Sequence, residues 1–159
     1  MRTLATALTA GLALSTWACG ATTSGTTGTT TTVDTLTGAS VTFMTRGDGK
    51  DEDSAIAVQL LDDSARLSAE GTAVDIEFDD NTVSAPLTLS LTRALTRDDL
   101  DDARMRLRLT PDGSDTWNFD VRLTARLSDG TEQQYFWSGV MLNENAPERV
   151  LPLRSGRLP

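Results

Sequence analysis

The sequence predicts an all-β protein: an antiparallel β-sandwich of about eight strands with at most one short helical turn. Two observations carry that expectation. Across residues 33–159 apolar side chains recur mostly at every second position, the spacing of strands with one buried face. The alternating runs are separated by Gly, Asp, Asn and Pro at the intervals of about 8–12 residues that a sandwich requires.

Residues 1–18 read as an export signal rather than as fold. Arg2 is their only charge, and the apolar run from Leu4 to Leu14 is shorter than the roughly 20 residues that span a bilayer. Cys19 and Gly20 follow, then the stretch to Thr32, which carries neither charge nor large apolar side chain. Such a segment buries nothing that would offset its ordering entropy, so residues 19–32 form a flexible tether of roughly 20 Å root-mean-square span. Residues 33–159 are then a single β-sandwich domain, long enough for one core.

The strand candidates come in chain order. Val41 to Thr45 and Ser54 to Leu61 open the domain, and Val74 to Phe78 is the next apolar run. Leu87, Leu89 and Leu91 alternate with Thr and Ser just after Pro86, a suitable strand start. Thr96 stands before Asp98 and Asp99 as an N-cap with acids at the first turn, the one helical signal. Met105, Leu107 and Leu109 alternate with Arg104, Arg106 and Arg108, and the run from Trp117 to Leu127 alternates throughout. Asp129-Gly130 then marks a tight hairpin, since both residues tolerate positive φ. Gln134 to Leu142 and Arg149 to Leu153 close the series.

Composition removes whole classes of function. There is no His and one Cys, so no Ser-His-Asp or Cys-His catalysis, no His-ligated metal, no internal disulfide and no Cys-x-x-Cys pair. A net charge of −9 argues against nucleic acid as a partner, because phosphate binding draws on clustered Lys and Arg. Removing Arg2 with the signal leaves 13 basic against 23 acidic residues, or −10. Chemistry is left only to carboxylates, as in a glycoside hydrolase, with pairs such as Glu70 with Glu77 or Asp75 with Asp120, which nothing singles out. Lys50, the only lysine, sits in a charged loop without the apolar surroundings that a Schiff-base role needs.

Two resemblances add to this reading. The Leu-rich segment ending in Ala18-Cys19-Gly20 resembles the lipobox of bacterial lipoproteins, with Thr16 and Trp17 where that pattern has Leu and a small residue. It implies cleavage before Cys19, acylation of that residue, attachment to a membrane through the lipid and, with no Asp after the Cys, placement in the outer membrane. An ordinary signal-peptidase cut after Ala18 or Gly20 is the alternative and gives a periplasmic or secreted protein. The segments VTFMTRGDGKDEDSAIAVQLL, PLTLSLTRALTRDDLDDARMRLRL and DTWNFDVRLTARLSDG resemble β-sandwich domains of the PLAT/LH2 type, most closely at Thr116-Trp117-Asn118-Phe119-Asp120. That resemblance implies a noncatalytic module docking to glycan, lipid headgroup or another envelope protein.

Three constellations are candidate sites. Asp48, Asp51 and Asp53, with Glu52, offer hard oxygen donors for calcium, joined by Asp79 and Asp80 if those lie at the same end; the alternative is a solvated acidic turn. Arg104, Arg106 and Arg108, joined by Arg122 and Arg126, form one cationic face if their two strands pair. Compensation by nearby acids competes with binding of a phosphate or uronate there. Among the aromatic residues, Trp117 belongs to the core by phase, whereas Trp137 is either packed or exposed to a ligand.

Overall fold

The computed structural model describes residues 32–47, 50, 53–74, 76–112 and 116–159. The segments expected to be an export signal and a tether, with Cys19, lie outside the described residues except for Thr32. Eight strands form in this order: β1 (Leu36–Thr45), β2 (Ala55–Leu61), β3 (Leu67–Ala73), β4 (Leu87–Leu91), β5 (Arg104–Thr110), β6 (Thr116–Leu127), β7 (Glu132–Asn143) and β8 (Glu148–Pro152). Two short helices accompany them, α1 (Arg97–Asp102) before β5 and α2 (Leu153–Gly156) after β8. The all-β expectation is borne out.

The strands lie in the order β7-β6-β1-β4-β3-β2-β5-β8, every pair antiparallel. β4 is the corner. Its first residues pair with β1 and its last two with β3, so one layer continues into the other through a single short strand. Gly71 makes the approach of β3 possible, because a Cβ there would lie 2.9 Å from the Thr88 carbonyl oxygen. The circuit stops at the other side, where β7 and β8 are the terminal strands.

Alternation sorts the side chains as the sequence indicated. Met105, Leu107 and Leu109 of β5 face Val121, Leu123 and Leu127 of β6 and their neighbours across one core, all buried. Burying a large apolar side chain contributes about 1.5–3 kcal/mol, so these strands supply much of the driving force. Trp117 is fully buried and stacks on Phe78 at 5.1 Å, beside Phe43 at 4.9 Å and Phe119 at 4.0 Å. Its indole N–H donates to Thr45 Oγ1 at 3.2 Å, so the ring's one polar group is satisfied.

Two expectations need correction. The run Val74 to Phe78 is not a strand; Val74 and Ile76 are exposed, and Phe78 makes only an isolated bridge to Lys50. The strand forms just upstream, in Leu67–Ala73, where Ser68, Ala69 and Ala73 are buried and Gly71 packs close against β4. Lys50, expected in a charged loop without apolar surroundings, is buried against an aromatic ring. It is 1% exposed, its Nζ donates to the Ile76 carbonyl at 2.6 Å and lies 5.5 Å from the Phe78 ring centroid. Aliphatic stem and ring together cap the aromatic cluster.

Thr96 caps α1 as expected: its hydroxyl accepts from the Asp99 N–H, and the Asp99 carboxylate accepts from the Thr96 N–H at 2.8 Å. The same bond holds the Asp99 carboxyl below its ordinary pKa, the Thr96 N–H being the largest cause. At that end of the sandwich Arg97 reaches Asp34 at 3.1 Å and Asp129 at 2.6 Å, binding the chain's approach to β1 to the β6–β7 hairpin.

Candidate functional site

The site forms where the sheet stops. β7 begins in phase with the core, with Gln133 and Tyr135 buried on the inner side. Between Trp137 and Val140 the strand carries one residue more than β6 opposite, where Phe119 pairs with Val140 but Val121 with Trp137. Gly139 accommodates this bulge at φ +65°. Its N–H donates to Asp120 Oδ1 at 2.8 Å, while Asp120 Oδ2 accepts from Arg46 at 2.8 Å. Burial pushes the Asp120 carboxyl up, but the Arg46 guanidinium and the Gly139 N–H outweigh it, and the group stays ionised below the usual range. After the bulge Val140 and Leu142 turn inward and Met141 outward.

β7 and β8 are joined by a short turn in which Asn143 bridges Ala146, and they then diverge. The gap is closed at its other end by the chain itself. After β8, Leu153 is fully buried, α2 crosses beneath Trp137, and the tail returns to β7 with Arg157 bridged to Tyr135 and Leu158 N–H donating to the Gln134 carbonyl at 2.9 Å. What remains is a groove of about 560 Å³, whose walls include Phe136, Trp137, Met141, Leu151, Arg149 and Ser155. That volume lies within the range of small-ligand sites, about 300–1,000 Å³.

Trp137 is held in the groove by three contacts. Its ring stacks on Tyr135 with an interplanar angle of 11° and centroids 6.2 Å apart, its Nε1–H donates to Ser155 Oγ at 3.3 Å, and Gly156 lies under its edge. A Cβ on Gly156 would come within 2.3 Å of Trp137 Cε2, so this helix position has no room for a larger residue. Tyr135 itself is buried; its hydroxyl donates to Gln133 Oε1 at 2.7 Å, and burial pushes its pKa up to about 12. Trp137 therefore belongs to both readings that its phase left open: it packs on one side and remains accessible on the other.

Arg149 was not among the sequence candidates. It stands directly opposite Leu107 across β5 and β8, which places it on the inner face in phase with Leu151. A charge at an apolar phase was the visible signal in the run Arg149-Val150-Leu151, because a strand paired on both sides would not place an arginine there. It is exposed, and its one hydrogen bond among the described residues runs from Nη1 to the Glu148 carbonyl at 3.2 Å.

The expected arginine face does not assemble. β5 lies between β2 and β8 and β6 between β1 and β7, so Arg104, Arg106 and Arg108 are on a different layer from Arg122 and Arg126. Alternation fixes which face a side chain takes but not which strands become neighbours. Arg106 donates to Gln59 Oε1 through Nε at 2.9 Å and through Nη2, and Arg126 pairs with Glu132 at 2.9 Å. Arg104, Arg108 and Arg122 are exposed.

For the acidic constellation, Asp48 and Asp51 lie outside the described residues, and Asp53 is exposed. The Asp79-Asp80 turn does sit at the same end, since Lys50 and Phe78 exchange backbone hydrogen bonds of 3.2 and 3.0 Å. Among the described residues no group of three or more acidic or thiol side chains is placed to hold a metal ion.

No protein-family model matches the chain, and no curated protein matches it either.

Proposed function

We propose that the chain is a noncatalytic β-sandwich binding module, exported and anchored through acylated Cys19 to the outer membrane, with the groove between β7 and β8 as its ligand site. The observation that carries this reading is the groove itself: an accessible tryptophan fixed on three sides beside an arginine with no acidic partner among the described residues. Aromatic surface with a few convergent polar groups is the usual makeup of a ligand site. Its ligand class is glycan, lipid headgroup or envelope protein. Of the carboxylates that the sequence offered for chemistry, Asp120 is held below the ordinary range. A general acid working at neutral pH needs the opposite shift.

A second reading, an accessory envelope protein without a small ligand, is favoured by the exposed Val74, Ile76 and Val83 on the β3–β4 connection. Replacing Cys19 with Ser while following acyl labelling and membrane fractionation tests the anchor. Label and membrane association are expected in the parent and lost in C19S. If the parent takes no label and C19S stays with membranes, the lipoprotein reading fails. Thermal shift against calcium and a glycan panel separates the two functional readings, because only the ligand-binding module is stabilised by a bound small molecule.

A further inference from the structure

The groove's shape and charge narrow its ligand further, on the premise that it is the binding site of the reading just given. An extended peptide would have to run between β7 and β8, but the passage is blocked at both ends. The Asn143–Ala146 turn closes one, and the returning tail at Arg157 and Leu158 closes the other. The tail also occupies the free edge of β7 at Gln134 and Tyr135, where an added strand would begin its pairing. A compact ligand fits the open groove that remains.

Its surfaces define what that ligand carries. Trp137 and Met141 present apolar surface, of the kind that packs against the C–H face of a sugar ring. Ser138 offers a hydroxyl for its hydroxyls, whereas the Ser155 hydroxyl donates to the Pro152 carbonyl at 2.7 Å and accepts from Trp137, which leaves it one lone pair to accept from the ligand. Arg149 supplies a planar guanidinium suited to bidentate contact with a carboxylate. No acid is among the groove's lining residues, so the only formal charge in the wall is positive. On a chain of net charge −9 that is a local inversion, and it selects an anionic group against the surrounding field.

We infer that the groove between β7 and β8 binds a hexuronate unit of an acidic saccharide, its ring on Trp137 and its carboxylate on Arg149. An inward-pointing charge also guards an edge strand against pairing with other chains, and that role requires no ligand. The test must therefore read the groove directly.

The purified full-length chain in detergent, titrated with glucuronate and galacturonate and in parallel with glucose, galactose and a Glu-rich peptide, provides it. The readout is the NMR signal of each indole N–H. The Trp137 signal is expected to move with the uronates while that of Trp117 stays in place. Arg149→Gln is expected to weaken uronate binding by about 10- to 100-fold, the range for loss of a hydrogen bond to a charged group. Its Trp117 signal should be unchanged, showing that the fold is intact. Equal responses to acidic and neutral sugars overturn the uronate assignment while leaving the groove as a binding site. A response to a Glu-rich peptide but not to the uronates overturns it in favour of a protein partner. No response of Trp137 to any of them overturns both the assignment and the groove.

Discussion

The two tryptophans of the folded domain occupy opposite situations. Trp117 sits on β6, paired on both sides, with three aromatic rings within 5.1 Å and no exposure. Trp137 sits on β7, a terminal strand, where Tyr135, Ser155 and Gly156 are what hold it. Where the sheet continues, a large ring is fixed by packing from every side and has no surface left for a partner. Where the sheet stops, the same residue type needs particular contacts to stay in place and keeps surface free.

The largest effect expected from that contrast is the loss of Trp117. Trp117→Ala should cost about 3–5 kcal/mol in denaturant unfolding, the usual range for removing a buried aromatic side chain. It also leaves the Thr45 hydroxyl without the indole donor. A loss below about 1 kcal/mol would show that the ring cluster is not the centre of the core.

Next comes the glycine beneath Trp137. Gly156→Ala should cost about 1–3 kcal/mol as an overpacked position, and most of that cost should vanish when Trp137 is already Ala. Gly71→Ala gives the control. Its Cβ would meet the Thr88 carbonyl oxygen at 2.9 Å, a backbone atom that Trp137→Ala does not move. A cycle that couples Trp137 to Gly71 as strongly as to Gly156 would remove the distinction between the two sides of the sheet.

The smallest effect is the pH dependence, which has two arms of different origin. Asp99 and Asp120 have folded pKa values below the reference of 3.8, so their contribution is whole above that value and is lost as pH falls from it through the lower folded values. Tyr135 works in the other direction: its pKa rises from 10.0 to about 12, so the fold favours the neutral phenol. That contribution is whole below pH 10 and declines as pH climbs towards 12. With no histidine to titrate between them, the melting temperature should hold level from about pH 5 to 9 and fall on each side. A break near pH 6.5 would count against this assignment.

Much of the fold was legible because its strands are amphipathic in a simple way. β5 and β6 alternate without interruption, and Thr96 with Asp99 announces the helix start. β3 was hidden because its buried positions are Ser68, Ala69 and Ala73, too small or polar to stand out from their neighbours, while the exposed Val74 and Ile76 imitate a strand. The candidate site was half legible. Trp137 was visible as an aromatic residue of divided phase, but Arg149 gains its meaning only when β8 proves to be terminal. The arginine face failed for the related reason that sequence order does not state which strands meet. The burial of Lys50 depends on Ile76 and Phe78, 26 and 28 positions further along the chain.

The bulge in β7 adds a residue to the groove wall by length alone, without changing which residues of the strand reach the core. Without Ser138, the residues Gln133, Tyr135, Trp137, Val140 and Leu142 would follow one another at strict intervals of two, an ordinary amphipathic strand. The extra residue leaves both halves of the strand in phase with the interior, Tyr135 before it and Val140 and Leu142 after it, and sets Ser138 and Gly139 together opposite Asp120 at the groove wall. No point substitution restores the shorter count. Such a bulge is lost by a one-codon deletion and gained by a one-codon insertion, a step that leaves every core residue of the strand as it was.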